Sequence, residues 1–289
     1  MATDWSRLQP LEIGLCSWCL HLEREPELRQ AMDAFGLRAL QLALAPIARL
    51  EPAERKRSIE EFKASPMIIT CGMIAYHGED YTTRETIHST GGLVPDATFE
   101  ERYALTIACG QVARDMGLTM ISTHVGFIPP PTETAAFEKI RDRLGRVCDE
   151  FAKLGGSGVS LLFETGQETA DTLVAFLKAM GRPNAGVNFD PANMLSYDKG
   201  DPVAAVKVLA PYIKHVHAKD SKRVMPPPTE EAMWRGREAP LGIGDANLVG
   251  VIQALKEIEY KGPLIIEREA GTERAADIRT GIEFLRKNR

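Results

Sequence analysis

The stretch Val187-Asn188-Phe189-Asp190-Pro191-Ala192-Asn193-Met194 reads as an apolar strand that ends in a carboxylate and turns at once. A strand buried on both faces looks like this when it delivers one acid to the rim of a parallel barrel. The same figure recurs on either side. Leu161-Leu162-Phe163-Glu164-Thr165-Gly166 stands about 26 residues upstream. Ile213-Lys214-His215-Val216-His217-Ala218-Lys219-Asp220 places its second histidine about 27 residues downstream, and Leu264-Ile265-Ile266-Glu267-Arg268-Glu269 follows about 50 residues later. The first two spacings fit one strand-helix unit each, and the third fits one unit with a long insertion. Glu164, Asp190, His217 and Glu267 then sit at the ends of successive strands and point into one pocket.

Working outward, strands are expected near residues 11–18, 39–44, 67–75 and 119–125, with helices at 25–35, 52–64, 99–116, 134–154, 169–180, 247–260 and 277–287. Gly36 and Gly117 are the expected helix stops. Asp201-Pro202 has the N-cap and first-turn chemistry of a helix start. Residues 76–96 and 221–244 read as long loops, the second carrying Pro226-Pro227-Pro228, and Gly155-Gly156-Ser157-Gly158 as a flexible turn. Eight strands alternating with helices and no break in composition predict one α/β domain over residues 1–289, a (β/α)8 TIM barrel.

Of the 289 residues, 44% are hydrophobic, which suffices for a full core, and the net charge of −5 comes without a long basic block. A nucleic-acid or membrane surface is therefore not expected. The first residues, Met1-Ala2-Thr3-Asp4-Trp5, contain no apolar leader core, and no run reaches the roughly 18 apolar residues of a span. A cytoplasmic setting is the expectation. The five cysteines read as small core residues, including the Cys16-Ser17-Trp18-Cys19 pair.

Three carboxylates and one neutral imidazole form an oxygen-rich set suited to one divalent metal: Mn²⁺ first, with Mg²⁺, Co²⁺ or Zn²⁺ also fitting. The plainer reading of any one strand-end carboxylate is a cap on the next helix; four such residues in series favour the metal. A metal beside a substrate carbonyl stabilises charge formed when the neighbouring C–H proton leaves. Glu164 and Glu267, about three strands apart on the ring, then serve as the proton-transfer pair. His124 at the end of strand four, Asn193 and Arg223 are candidate substrate contacts, each with a structural alternative as core histidine, helix cap and exposed loop cation. Lys219 and Asp220 are expected as a structural pair beside the metal, with Asp220 orienting His217, and Trp18, His21, Tyr76 and Trp234 are expected to wall a sugar face. His215 is read as facing the surrounding helices and set aside as a ligand.

These segments resemble the xylose-isomerase-like superfamily of sugar isomerases and epimerases, most strongly over residues 119–271. The resemblance implies a TIM barrel, a small-molecule sugar or keto-polyol substrate, and a homodimer or homotetramer. In the related ketohexose 3-epimerases the matching four residues bind Mn²⁺ or Co²⁺ and the two glutamates exchange the proton. Carried over, these are Glu164, Asp190, His217 and Glu267, with Arg223 at a substrate-contacting position. Asn193 stands where those enzymes have a histidine, and a second acidic contact is matched only loosely by Gln167 or Glu168. Two alternatives accompany the isomerase or epimerase reading: a metal-dependent lyase or dehydratase on a keto-sugar or keto-inositol, and a non-catalytic sugar-binding barrel. The few histidines and the acidic charge argue against the metal-dependent nuclease relatives.

Overall fold

The computed structural model describes residues 5–156, 158–225 and 234–289. Met1 to Asp4, Ser157 of the glycine-rich turn and the Pro226-Pro227-Pro228 run lie outside the described residues. Ten strands are present among those described: β1 (Ile13–Cys16), β2 (Ala39–Ala43), β3 (Ile68–Ile74), β4 (Met120–Thr123), β5 (Ser160–Glu164), β6 (Ala185–Phe189), β7 (Ile213–Ala218), β8 (Asp220–Arg223), β9 (Gly236–Ala239) and β10 (Leu264–Ile266). The helices are α1 (Glu25–Phe35), α2 (Ala45–Ala48), α3 (Pro52–Ala64), α4 (Arg84–Thr90), α5 (Phe99–Met116), α6 (Thr134–Ala152), α7 (Ala170–Met180), α8 (Pro191–Ser196), α9 (Pro202–Leu209), α10 (Leu248–Glu257) and α11 (Arg274–Asn288).

Eight strands close into a parallel barrel in the order β1-β10-β7-β6-β5-β4-β3-β2. The fold is a (β/α)8 TIM barrel, as the strand-helix alternation predicts. Its strands are apolar because both faces are covered: all seven residues of β3 and all five of β6 are buried. Aromatic packing ties helix to strand at one flank. Phe176 of α7 lies 6.0 Å from Phe163 of β5 and 5.3 Å from Phe137 of α6, and none of the three rings is more than 9% exposed.

Helix ends follow the local chemistry. Gly36 and Gly117 cap α1 and α5 with φ of 66° and 80°, a conformation glycine adopts without a Cβ penalty. Asp201 caps α9 by accepting from the backbone N–H of Val203 and Ala204. The two expected loops hold more structure than their composition suggests. Residues 76–96 contain α4, started by a reciprocal Thr83–Thr86 capping box. The longer one contributes β8 and β9, an antiparallel pair with Asp220 opposite Ala239 and Arg223 opposite Gly236. Both were obscured by Gly, Pro and polar residues that tertiary contacts override. No helix among the described residues is long and apolar enough to cross a membrane.

His215 corrects the sequence reading. Strand side chains alternate with a period of two, so positions 215 and 217 share a face. Both point into the barrel, each fully buried, with ring centroids 6.2 Å apart. His215 forms a layer below His217, its Nδ1 3.0 Å from Asn188 Oδ1 and its Nε2 3.0 Å from Thr70 Oγ1.

Two substitutions measure these contributions in urea unfolding. Phe176→Ala is expected to lower stability by about 3–5 kcal/mol through the cavity it leaves. Asp201→Ala is expected to cost about 1 kcal/mol by removing the cap of α9. Equal midpoints for Phe176→Ala and the unmodified chain would contradict the packing described.

Candidate active site at the carboxyl end of the barrel

Glu164 ends β5, Asp190 follows β6, His217 lies in β7 and Glu267 follows β10. These strands are consecutive around the barrel, so their carboxyl ends share one rim. Each residue offers one ligand atom, and the four atoms lie within 4.8 Å of one another. His217 Nδ1 is the centre: Glu164 Oε1 stands 3.4 Å away, Asp190 Oδ2 3.4 Å and Glu267 Oε2 3.2 Å. All four residues are at most 4% exposed.

The opposite nitrogen of that ring is fixed from the barrel interior. His217 Nε2 lies 2.6 Å from Gln41 Oε1 and 3.0 Å from Asn188 Nδ2. These two amides hold the ring from behind and aim Nδ1 at the carboxylates. Gln41 comes from β2, where the pairing with β3 shifts register between Leu40 and Gln41. Such an irregularity re-aims a side chain. Asp220, the expected orienter, does something else. Its carboxylate accepts from the backbone N–H of Ser221, Gly242, Gly244 and Ala246 and so organises the turn after the β8–β9 pair. A Cβ on Gly244 would stand 2.1 Å from Asp220 Oδ1, which is why glycine occupies that position.

Asp190 has two roles on two oxygens. Oδ1 accepts from the Asn193 N–H and caps α8; Oδ2 is buried with no hydrogen-bond partner. Glu164 is similar: Oε1 accepts from Asn193 Nδ2 at 3.1 Å and lies 3.2 Å from His124 Nε2, while Oε2 has no partner. Gly166 makes this approach feasible, since a Cβ there would meet Asn193 Cβ at 2.5 Å and its φ is 138°. Glu267 is engaged on both oxygens. Trp18 Nε1 donates to Oε1 at 2.8 Å, and Lys219 Nζ donates to Oε2 at 2.7 Å while reaching Glu269 at 3.2 Å.

The charges are strongly coupled. Burial disfavours an ionised His217, yet Glu267 and Glu164 outweigh it and raise the imidazole well above its usual range. Burial likewise opposes charge on Glu164 and Glu267, but His124 and His217 hold Glu164 well below normal, and Lys219 draws Glu267 down to about 2. Asp190 is raised by burial, which its interaction with His217 only partly offsets. His124 is lifted to about 9 because Glu164 overcomes the burial penalty.

The donor set therefore fits a divalent cation. Buried Asp190 Oδ2, Glu164 Oε2 and His217 Nδ1 lack hydrogen-bond partners. Separations of 3.2–3.4 Å about Nδ1 suit ligands held at about 2.0–2.2 Å from one ion. Positive charge there would offset three acids that are largely removed from water.

A cavity of about 1080 Å³ opens above this cluster, and Glu164, Glu267, His124, Asn193, Lys219 and Trp18 are on its wall. Trp234 lines it too, as anticipated. Tyr76 and His21 do not: Tyr76 is buried with its hydroxyl 2.8 Å from Thr106 Oγ1, and His21 meets Arg274. Arg223 is exposed, 4.0 Å from Asp198, and is not among the lining residues. Glu168 is buried beside the site, with its carboxyl pushed up to about 8 by desolvation. The place of Gln41 at the site was not disclosed by the sequence, because it lies in an apolar strand and its partner is far away along the chain. Lys219 stands beside the site as expected, but it pairs with Glu267 and not with Asp220.

A ketose 3-epimerase from Arthrobacter globiformis is 26% identical over 153 residues, covering 51% of this chain and 47% of that protein, so the match spans about half its length. The crystal structure of a xylose isomerase domain protein from Planctomyces limnophilus superposes with a TM-score of 0.82 at 27% identity, over 97% of this chain and 96% of that one. The probable 3-DHS dehydratase AsbF of Bacillus anthracis, involved in petrobactin synthesis, shares the fold at 19% identity and a TM-score of 0.68, over 95% and 98% of the two chains. Residues 79–288 match the family model described as xylose isomerase-like TIM barrel, and the chain belongs to that family.

Proposed function

We propose that the protein is a divalent-metal-dependent sugar isomerase or epimerase that moves a proton at the carbon beside a carbonyl. The observation that carries this reading is the cluster itself: three buried carboxylates converge on one imidazole nitrogen whose ring is held from behind by Gln41 and Asn188. The ketose 3-epimerase relative supports the substrate class. Glu164, Asp190, His217 and Glu267 would hold the ion, with Mn²⁺ the first choice for an oxygen-rich set. A cation there supplies Lewis acidity, polarising the carbonyl and stabilising charge that develops on its oxygen.

The protein's own groups handle the proton. Glu164 and Glu267 enter from opposite ends of a four-strand arc, β5 and β10, so a substrate carbon between them presents one face to each. One glutamate takes the proton and the other returns it; return to the opposite face inverts the centre, and return to a neighbouring carbon moves the carbonyl. Asn193 and His124 steady Glu164 from one side, and Trp18 and Lys219 steady Glu267 from the other.

The direct test is incubation with Mn²⁺ and a panel of ketoses, aldoses and keto-polyols in D₂O. Deuterium should enter at the carbon beside the carbonyl, with product mass separating epimerisation from loss of water. Glu164→Gln and Glu267→Gln should each slow exchange by about 10²–10⁴. No exchange with any member of the panel would count against the proposal.

Metal loading gives a second check. Glu267 and Glu164 raise the affinity of His217 for a proton, so a proton and a metal ion compete for the same imidazole. Apparent Mn²⁺ affinity should rise with pH across the neutral range, and titration in weak buffer should release protons. Affinity independent of pH would refute this competition.

A further inference from the structure

We infer that the substrate is a sugar carrying an aromatic or similarly apolar ring as an aglycone, with that ring seated on a wall built by Tyr81 and Trp234. The inference rests on the proposed sugar chemistry for the reacting end and concerns what lies beyond it.

The cavity volume of about 1080 Å³ lies at the top of the roughly 300–1,000 Å³ found for drug-sized ligands. A single hexose over the metal cluster fills only a fraction of it. Part of the cavity wall near Glu164 is aromatic. Trp234 and Tyr197 meet edge to face at 4.9 Å, and Tyr81 lies 6.2 Å from His124, which itself touches Glu164. Tyr81 comes from the loop after β3 and Trp234 from the approach to β9, while Tyr197, which follows α8 and is 2% exposed, backs Trp234 from behind. The Tyr81 and Trp234 segments are joined by one hydrogen bond, Trp234 Nε1 donating to Thr82 O at 3.2 Å, next to Tyr81. Tyr81 is 43% exposed, unusual for so large a ring inside a cavity, and leaves a face open to a ligand. Edge-to-face and offset stacking give such rings affinity for a flat apolar partner.

Two acids on the cavity wall are already engaged by the protein. Glu79 already accepts from the backbone N–H of Tyr76 and Gly92. Glu238 accepts from Arg268 and from the N–H of Glu269 and Ala270. Arg49 and Arg237 stand exposed at the rim, and they define the competing case of an anionic substituent.

The test compares binding rather than turnover, so it stands apart from the exchange assay. Calorimetric titration of the Mn²⁺-loaded protein would use methyl and phenyl glycosides of several hexoses and of their 3-keto derivatives, with the corresponding 6-phosphates. The phenyl member of a bound pair should bind at least tenfold tighter than the methyl member. Trp234→Ala and, independently, Tyr81→Ala should each reduce that ratio toward one, whereas Trp234→Phe should preserve most of it. Equal affinity within every pair, no binding of any phenyl glycoside, tighter binding of a phosphate than of its phenyl counterpart, or a ratio unchanged in both alanine variants would overturn the inference. Deuterium exchange on free ketoses alongside equal binding would leave the proposed chemistry intact and remove only the aglycone site.

Discussion

Three carboxylates are confined around one nitrogen. Each acid lies 3.2–3.4 Å from His217 Nδ1, and each is at most 4% exposed. Their ligand atoms stand within 4.8 Å of one another, where like charges repel. The fold supplies partial answers in His217, His124 and Lys219, each pushed toward its cationic form by neighbouring acids that overcome burial. Two imidazoles and one ammonium still leave Asp190 Oδ2 and Glu164 Oε2 without a donor. A divalent ion meets that deficit with one centre.

Parallel strands are what make such crowding buildable. Every strand of this barrel runs the same way, so a residue at each carboxyl end reaches the same rim without any long loop. The layer beneath is equally ordered. Gln41, Asn188, His215 and Thr70 form a buried polar tier, linked through Asn188 to both histidines. Register shifts at Leu40/Gln41 and at Val187/Asn188 fall beside two members of this tier. The irregularities therefore lie where polar side chains must be aimed, not at the apolar flanks.

The rim was legible because each ligand closes an apolar run and the runs recur at the length of one strand-helix unit. Most helices were legible from their stops and caps, α5 to the residue. The supporting tier was not legible. Gln41 contacts a residue 176 positions away, and nothing near it in sequence signals a partner. His215 was misplaced for a simpler reason, since its position two residues before His217 sets it on the same face. Lys219 and Asp220 are adjacent and opposite in charge, yet they face different tasks: one reaches Glu267, the other gathers four backbone N–H groups. Adjacency in a strand separates side chains rather than pairing them. The structure inside the two expected loops was hidden because turn residues dominate their composition while tertiary contacts decide their path.

Asp190 shows why the plain and the functional readings of a strand-end acid are not rivals. Its Oδ1 caps α8 and its Oδ2 faces the cluster, so one carboxylate both starts the helix and arms the site. The backbone bond to Asn193 fixes the carboxylate plane. The same turn of helix sets Asn193 Nδ2 against Glu164. Capping thus positions two site residues on neighbouring strands at once, and the geometry of the cluster is inherited from a local helix-start signal. Trp18 repeats the arrangement across the pocket, where the short helical turn Ser17–Leu20 after β1 presents its indole N–H to Glu267. On both sides, the chain's first turn after a strand holds the glutamate still.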